Sequence, residues 1–302
     1  MLKRILKSYK KEREDYKKYK EYKIAGIWHG VDKTDFDEKE LANFGRSPKT
    51  VGLSLVRTIP KDKEEEDKFI EEVGRHLEIW GKLTNLPIEV LQYPQRFSLA
   101  GAFIGKIFTI QPAFRLSYYA HRISELAKDV AEIGGGFGGV AYHLFKDFNF
   151  KGTYLNFDLS DVGIIEKYFL MSVFPKKKFL LYGEDDIKNF KNYDMVLMPH
   201  YAIKDLPECE MVFNAHSLSE MGNSQIAEYL KQIDRISTKF LHFNHEYQAY
   251  NTDRKAPDVD EKNPINLSKI KLPGWRRIYR FPELLSGDNT LHYLEYYYEK
   301  IS

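Results

Sequence analysis

The chain has one cysteine, Cys209, in 302 residues, so no disulfide can form within it and a reducing cytoplasm is the expected setting. It has little net charge: 46 Lys and Arg against 44 Asp and Glu leave +2, which argues against a nucleic acid or an anionic membrane as partner. Long apolar runs are missing too. The best candidate, Phe97 to Phe108, is broken by Lys106 and falls short of a membrane span. The opening Met-Leu-Lys-Arg-Ile-Leu-Lys-Ser lacks the apolar core and cleavage site of a secretory signal. What is present suits a globular protein, with 43% hydrophobic and 30% charged residues. The 21 Tyr and 20 Phe include rings able to stack on a sugar, although such usage is also common without function.

Two regions are expected, residues 1–112 and 113–302. In the first, Leu2 to Tyr22 is rich in Lys, Glu and Tyr and reads as a solvated helix, a candidate arm for homo-oligomerisation. Lys61 to Leu83 has helical spacing at Phe69, Ile70, Val73, Leu77 and Trp80, and Pro87 to Ile110 is expected to add helices that cover a cleft. From Phe114 the rhythm alternates. Helices are predicted at Arg115–Lys128, Gly139–Asp147, Val162–Met171 and Ser224–Ile236. Strands are predicted at Val130–Ile133, Thr153–Phe157, Lys178–Tyr182, Met195–Met198, Met211–Asn214 and Phe240–Asn244. This alternation implies a parallel α/β sheet with right-handed crossovers. Trp275–Arg280 and Thr290–Glu299 flank the turn residues Ser286 to Asn289 and are expected to pair antiparallel, while Tyr247 to Pro273 reads as a loop over a substrate.

The most informative stretch is Val130 to Val140, a strand, a glycine loop and a helix start. Gly134, Gly136 and Gly139 satisfy G-x-G-x-x-G, which alone would equally suit a dinucleotide. Glu132 changes that reading, because a carboxylate beneath the loop repels a diphosphate and suits a cation. S-adenosylmethionine (SAM) carries a sulfonium and an ammonium and has no phosphate. Asp158, after the second strand, is placed to accept both ribose hydroxyls. Glu184 and Asp185, after the third predicted strand, are candidates for the adenine amino group.

Glu-Ile-Gly-Gly-Gly-Phe-Gly-Gly, Tyr-Leu-Asn-Phe-Asp-Leu-Ser-Asp and Asn-Ala-His-Ser-Leu-Ser-Glu-Met together resemble the class I SAM-dependent methyltransferases. More narrowly, they resemble a family of sugar O-methyltransferases associated with bacterial surface polysaccharide synthesis, over about Arg115 to Glu246. The resemblance implies a Rossmann-like α/β fold with seven strands, the last one antiparallel, beside the N-terminal helical region. It implies that Glu132, Gly134, Gly136 and Gly138, with Phe137, line the methionine end of SAM. Asp158, with Leu159, would take the ribose, Glu184 and Asp185 the adenine, and Asn214 the main-chain corner by the sulfonium. Arg115 or Tyr119 would reach the SAM carboxylate. The substrate it implies is a sugar hydroxyl in a glycan or its precursor.

Such a hydroxyl needs a base, and His216, Glu220 and His245 follow parallel strands at their carboxyl ends, with Glu246 in support. A divalent cation on Glu220, His245, Glu246 and Asp253 is a variant of this mechanism, disfavoured by the lack of tight metal spacing, so no metal site is expected. His200 reads as structural. Competing readings are a methyltransferase for a small molecule, lipid or protein, an NAD-dependent oxidoreductase or epimerase, and a non-catalytic SAM-binding subunit.

Overall fold

The computed structural model describes residues 1–19, 22, 24, 28, 35–42, 63–97, 101–246, 266–285 and 293–301. The expected turn at Ser286–Asn289 and most of the loop from Tyr247 lie outside the described residues.

Helix α1 (Leu2–Tyr16), α2 (Glu38–Ala42) and α3 (Lys63–Thr84) precede a short hairpin of β1 (Ala102–Ile104) and β2 (Ile107–Thr109). Helices were expected over Pro87 to Ile110; instead the described part holds two 3₁₀ turns and this hairpin. Gly105, at φ +60°, makes the tight reversal that helical spacing cannot register.

An alternating core follows: α4 (Ala113–Leu126), β3 (Val130–Ile133), α5 (Gly139–Lys146), β4 (Tyr154–Asp158), α6 (Ser160–Val173), β5 (Phe179–Leu181) and β6 (Met195–Pro199). It continues with β7 (Met211–Ala215), α7 (Asn223–Ile236), β8 (Lys239–His245), β9 (Trp275–Pro282) and β10 (Tyr293–Lys300). Eight of these strands form one sheet, in the order β5-β6-β4-β3-β7-β8-β10-β9. All neighbours from β5 to β8 run parallel, and β10 is antiparallel to both β8 and β9. The central strands are buried on both faces, as parallel strands covered by crossover helices must be. One core holds Phe114, Ala141 and Ile165 with Ile5, and the other holds Ile226 and Ile233 with Tyr201.

Two differences from the sequence expectation matter for the site. The sheet has the eight strands read from the sequence, one more than the seven that the resemblance implies, with the short β5 at the edge outside β6. Helix α1 is not a solvated arm; it packs along α6, burying Ile5, Ser8, Tyr9 and Glu12. Its anchors are polar and therefore silent in a hydrophobic pattern. Lys167 Nζ meets Glu12 Oε1 at 2.9 Å with both side chains buried, and the Tyr9 hydroxyl donates to Asp161 at 2.7 Å. Beyond α1, Tyr19 stacks on Tyr201 at 4.4 Å, and Ile24 and Trp28 line the cavity at the carboxyl ends of the strands.

Candidate active site

The chain leaves β3 toward β4 on one side and reaches β7 on the other, so a crevice opens at the carboxyl end of β3. There the structure has a cavity of about 440 Å³. Its floor is the glycine loop. Gly134, Gly136 and Gly138 have φ of +79°, +63° and +88°, which L side chains rarely adopt. A Cβ on Gly134 would stand 2.5 Å from Ser217 Oγ, and one on Gly138 would stand 2.9 Å from Glu166 Cγ. The loop is tied down from both sides: Gly135 N–H donates to Asn156 Oδ1 at 3.0 Å and Gly136 N–H to Asp158 Oδ2 at 2.8 Å.

Two carboxyl groups line this floor. Asp158 also accepts from its neighbour Leu159 N–H at 2.7 Å, yet burial pushes its pKa up to about 7. Glu132, at the end of β3, accepts from the Tyr154 hydroxyl at 2.6 Å, and burial with nearby Asp158 raises it to about 8. Behind them Glu166 is buried against Asn156 and raised well above its ordinary value by burial and these two neighbours. A buried acid cluster facing a cavity disfavours a phosphate and gains from a cation, which would let its protons leave.

The opposite wall comes from β7 and the turn after it. Asn214 donates to the Ile133 carbonyl at 2.8 Å and accepts from Asn244 at 2.7 Å, locking that turn to the end of β3. Asn214 itself is fully buried and does not line the cavity. His216, two residues on, has φ +65°, a strained setting for a non-glycine residue, and its ring enters the cavity wall. Its Nε2 lies 3.0 Å from the Tyr119 hydroxyl, which in turn donates to Glu283. Burial, Arg115 and His245 hold the imidazole well below its ordinary pKa, hence neutral near pH 7. Glu220 accepts from the Trp28 indole at 2.8 Å, and burial raises its pKa. Arg115, Tyr119, Phe137 and Leu159 also line the cavity.

Besides Asn214, neither Gly138 nor Glu246 lines the cavity, and three more predicted residues do not either. His245 is not in the wall; Tyr293 lies between it and His216, with ring centroids 5.2 and 4.7 Å away. Glu184 is held by Arg4 at 2.5 and 2.7 Å, and Asp185 accepts from Tyr193 at 2.9 Å; neither reaches the cavity. The reason is strand order. They follow β5, which is third in chain order among this sheet's strands but outermost in the sheet, whereas β6 is the strand beside β4. The residue that follows β6 at the cavity is His200, read from sequence as structural. Its Nε2 donates to the Tyr22 carbonyl at 2.8 Å, and burial lowers its pKa to about 4. Trp28, Gln111, Gln225 and Tyr229 also line the cavity and carried no local signal.

Among the described residues, no three His, Cys, Asp or Glu side chains are arranged to hold a metal ion, and Asp253 lies outside them. No described helix is long and apolar enough to cross a membrane.

No protein family and no curated protein matches the chain. Solved structures do resemble it. The mitomycin 7-O-methyltransferase MmcR is 11% identical, with a TM-score of 0.41, over 62% of this chain and 55% of its own. The CcbJ methyltransferase from Streptomyces caelestis is 13% identical, with a TM-score of 0.39, over 61% of this chain and 94% of its own. The methyltransferase domain of bacterial CtHen1-C is 12% identical, with a TM-score of 0.44, over 62% of this chain and 97% of its own. The chain thus spans about half the length of MmcR. The fold class, a mostly parallel α/β sheet with an N-terminal helical region, rests on the strand order itself.

Proposed function

We propose that this chain is a SAM-dependent O-methyltransferase whose acceptor is a sugar hydroxyl in a glycan or glycan precursor. The observation that carries the first half is the pairing of Glu132 and Asp158 with a glycine loop at the carboxyl end of β3. The donor set fits the ligand: buried carboxyl groups suit a sulfonium and an ammonium, and the loop has no room for a Cβ at Gly134 or Gly138. Asp158 keeps acceptor capacity for ribose hydroxyls beyond its two backbone bonds. Arg115, in the cavity wall, suits the donor's carboxylate.

Bound SAM supplies an electrophilic methyl group. The chain's own residues would hold the acceptor oxygen in line with it, exclude water and take the hydroxyl proton. His216 is the base in this reading, since it is in the wall and neutral near pH 7. Glu220 faces the same space under Trp28. His245 becomes a neighbour of the base rather than a base. The sugar half rests on the resemblance of Asn214 to Met221, and the aromatic walls of Trp28, Tyr119 and Tyr229 are compatible with a sugar face.

The test is transfer of a labelled methyl group from SAM to a panel of glycans, sugar phosphates, phenols, lipids and peptides. Label on a sugar oxygen, lost in His216→Ala with SAM binding retained, is the expected result. Label on another acceptor class alone would overturn the sugar assignment and leave the methyltransferase reading standing.

A further inference from the structure

We propose that Glu283, acting through the Tyr119 hydroxyl, is a positioning residue that fixes His216 as the tautomer protonated on Nε2, leaving Nδ1 to take the acceptor's proton. This rests on the methyl-transfer reading for its purpose, although not for its geometry. The Tyr119 hydroxyl has one hydrogen and two partners, Glu283 Oε1 and His216 Nε2. With Glu283 ionised, as the proposal requires, its carboxylate can only accept, so the hydrogen points to Glu283. The phenolic oxygen then faces Nε2 as an acceptor, and Nε2 must carry the ring hydrogen. The alternative, with Tyr119 donating to Nε2, requires a protonated Glu283.

The placement of Glu283 is built into the fold. It directly follows β9, and its own N–H donates to the Tyr293 carbonyl at 2.9 Å, which anchors it at the start of β10. Its side chain is fully buried, and Oε2 stands 3.9 Å from His216 Nε2. Among the described residues, the charged and titratable groups facing this trio include Arg115 on α4, His245 at the end of β8, and Glu295 and Tyr293 on β10. Arg115 and His245 both oppose a proton on His216, so an imidazolium there needs a compensating anion, and Glu283 is the one in contact with Tyr119.

The step balances. As the oxygen–methyl bond forms and the methyl–sulfur bond breaks, the hydroxyl proton passes to His216 Nδ1 and the sulfur leaves as a neutral thioether. The imidazolium retains its Nε2 hydrogen on the Tyr119 oxygen and returns the Nδ1 proton to water. Glu283 is not protonated in the cycle; it orients and compensates, as the carboxylate of a catalytic triad does.

The experiment is nitrogen-15 NMR of the full chain labelled in histidine, at pH 8, with the His216 signals assigned by their loss in His216→Asn. A bare Nδ1 and a protonated Nε2 are expected, and the opposite tautomer overturns the proposal. This needs neither donor nor acceptor, so failure of methyl transfer leaves it untouched, and a wrong tautomer in a working methyltransferase sinks only the Glu283 role. The second readout is Glu283→Gln. Its kcat should fall at least about ten-fold while the Kd for SAM stays within about two-fold, because general-base assistance is typically worth far more than that. An unchanged kcat would count against the role. If Glu283→Gln does not fold, Tyr119→Phe replaces it, with loss of the tautomer preference expected and its retention contradicting the proposal.

Discussion

Glu132→Gln separates a cation-binding floor from an ordinary glycine turn, and its size follows from the structure. Burial holds the Glu132 carboxyl at about 8, so at pH 7 only about a tenth of molecules present the anion. If SAM binds the ionised form, the apparent affinity at pH 7 is reduced by that fraction. The Kd should therefore fall about ten-fold between pH 7 and pH 9 on account of this residue, or roughly 1.4 kcal/mol. The groups facing it are the Tyr154 hydroxyl, Asp158 and Glu166, so the transition will be broadened by their coupling. The ammonium of SAM titrates in the same range, so the informative quantity is the wild-type profile minus that of the variant. Calorimetry in two buffers of different ionisation enthalpy at pH 7 should also show proton release on binding that is smaller in Glu132→Gln. Stability gives an independent arm. Folding raises this pKa above its ordinary 4.5, so the contribution is full below that value and is lost as pH rises through about 8. Urea titrations from pH 6 to 9 should thus slope downward less steeply in the variant. Parallel Kd profiles and equal proton release for the two proteins would refute the reasoning.

Other substitutions test the frame around that floor. Gly134→Ala asks a side chain to adopt φ +79° with its Cβ 2.5 Å from Ser217 Oγ; the backbone alone should cost about 1–2 kcal/mol, and SAM binding should be lost. Denaturant midpoint and calorimetry check both, and a variant that binds normally would mean the loop can move away from Ser217. Lys167→Met strands Glu12 in the interior. A loss of about 3–5 kcal/mol is expected, largely restored in Lys167→Met with Glu12→Gln. A loss below about 1 kcal/mol would show that α1 is not held through this pair.

The alternation of strands and helices was readable because each buried parallel strand is an apolar run of ordinary length bounded by a polar or glycine break. The loop at Gly134 and the acids Glu132 and Asp158 were readable because they sit within that run and at its end, where local order and spatial order coincide. Glu184 and Asp185 were misplaced since nothing local says that the third strand in the chain goes to the edge of the sheet. His200 inherited the position beside β4 for the same reason. Docking of α1 was hidden because, beside Ile5, its buried contacts are a Lys–Glu pair and tyrosine side chains, which read as a solvated face. Glu283 was invisible: it lies more than sixty residues from His216 in the chain, and only the pairing of β9 with β10 brings it to Tyr119.

The most direct measurement of the central claim is equilibrium binding of SAM and of NAD to the purified chain, titrated separately under the same conditions at pH 8. One saturable site for SAM, weakened in Asp158→Asn and with no competition from NAD, is predicted. Binding of NAD without SAM would contradict the account.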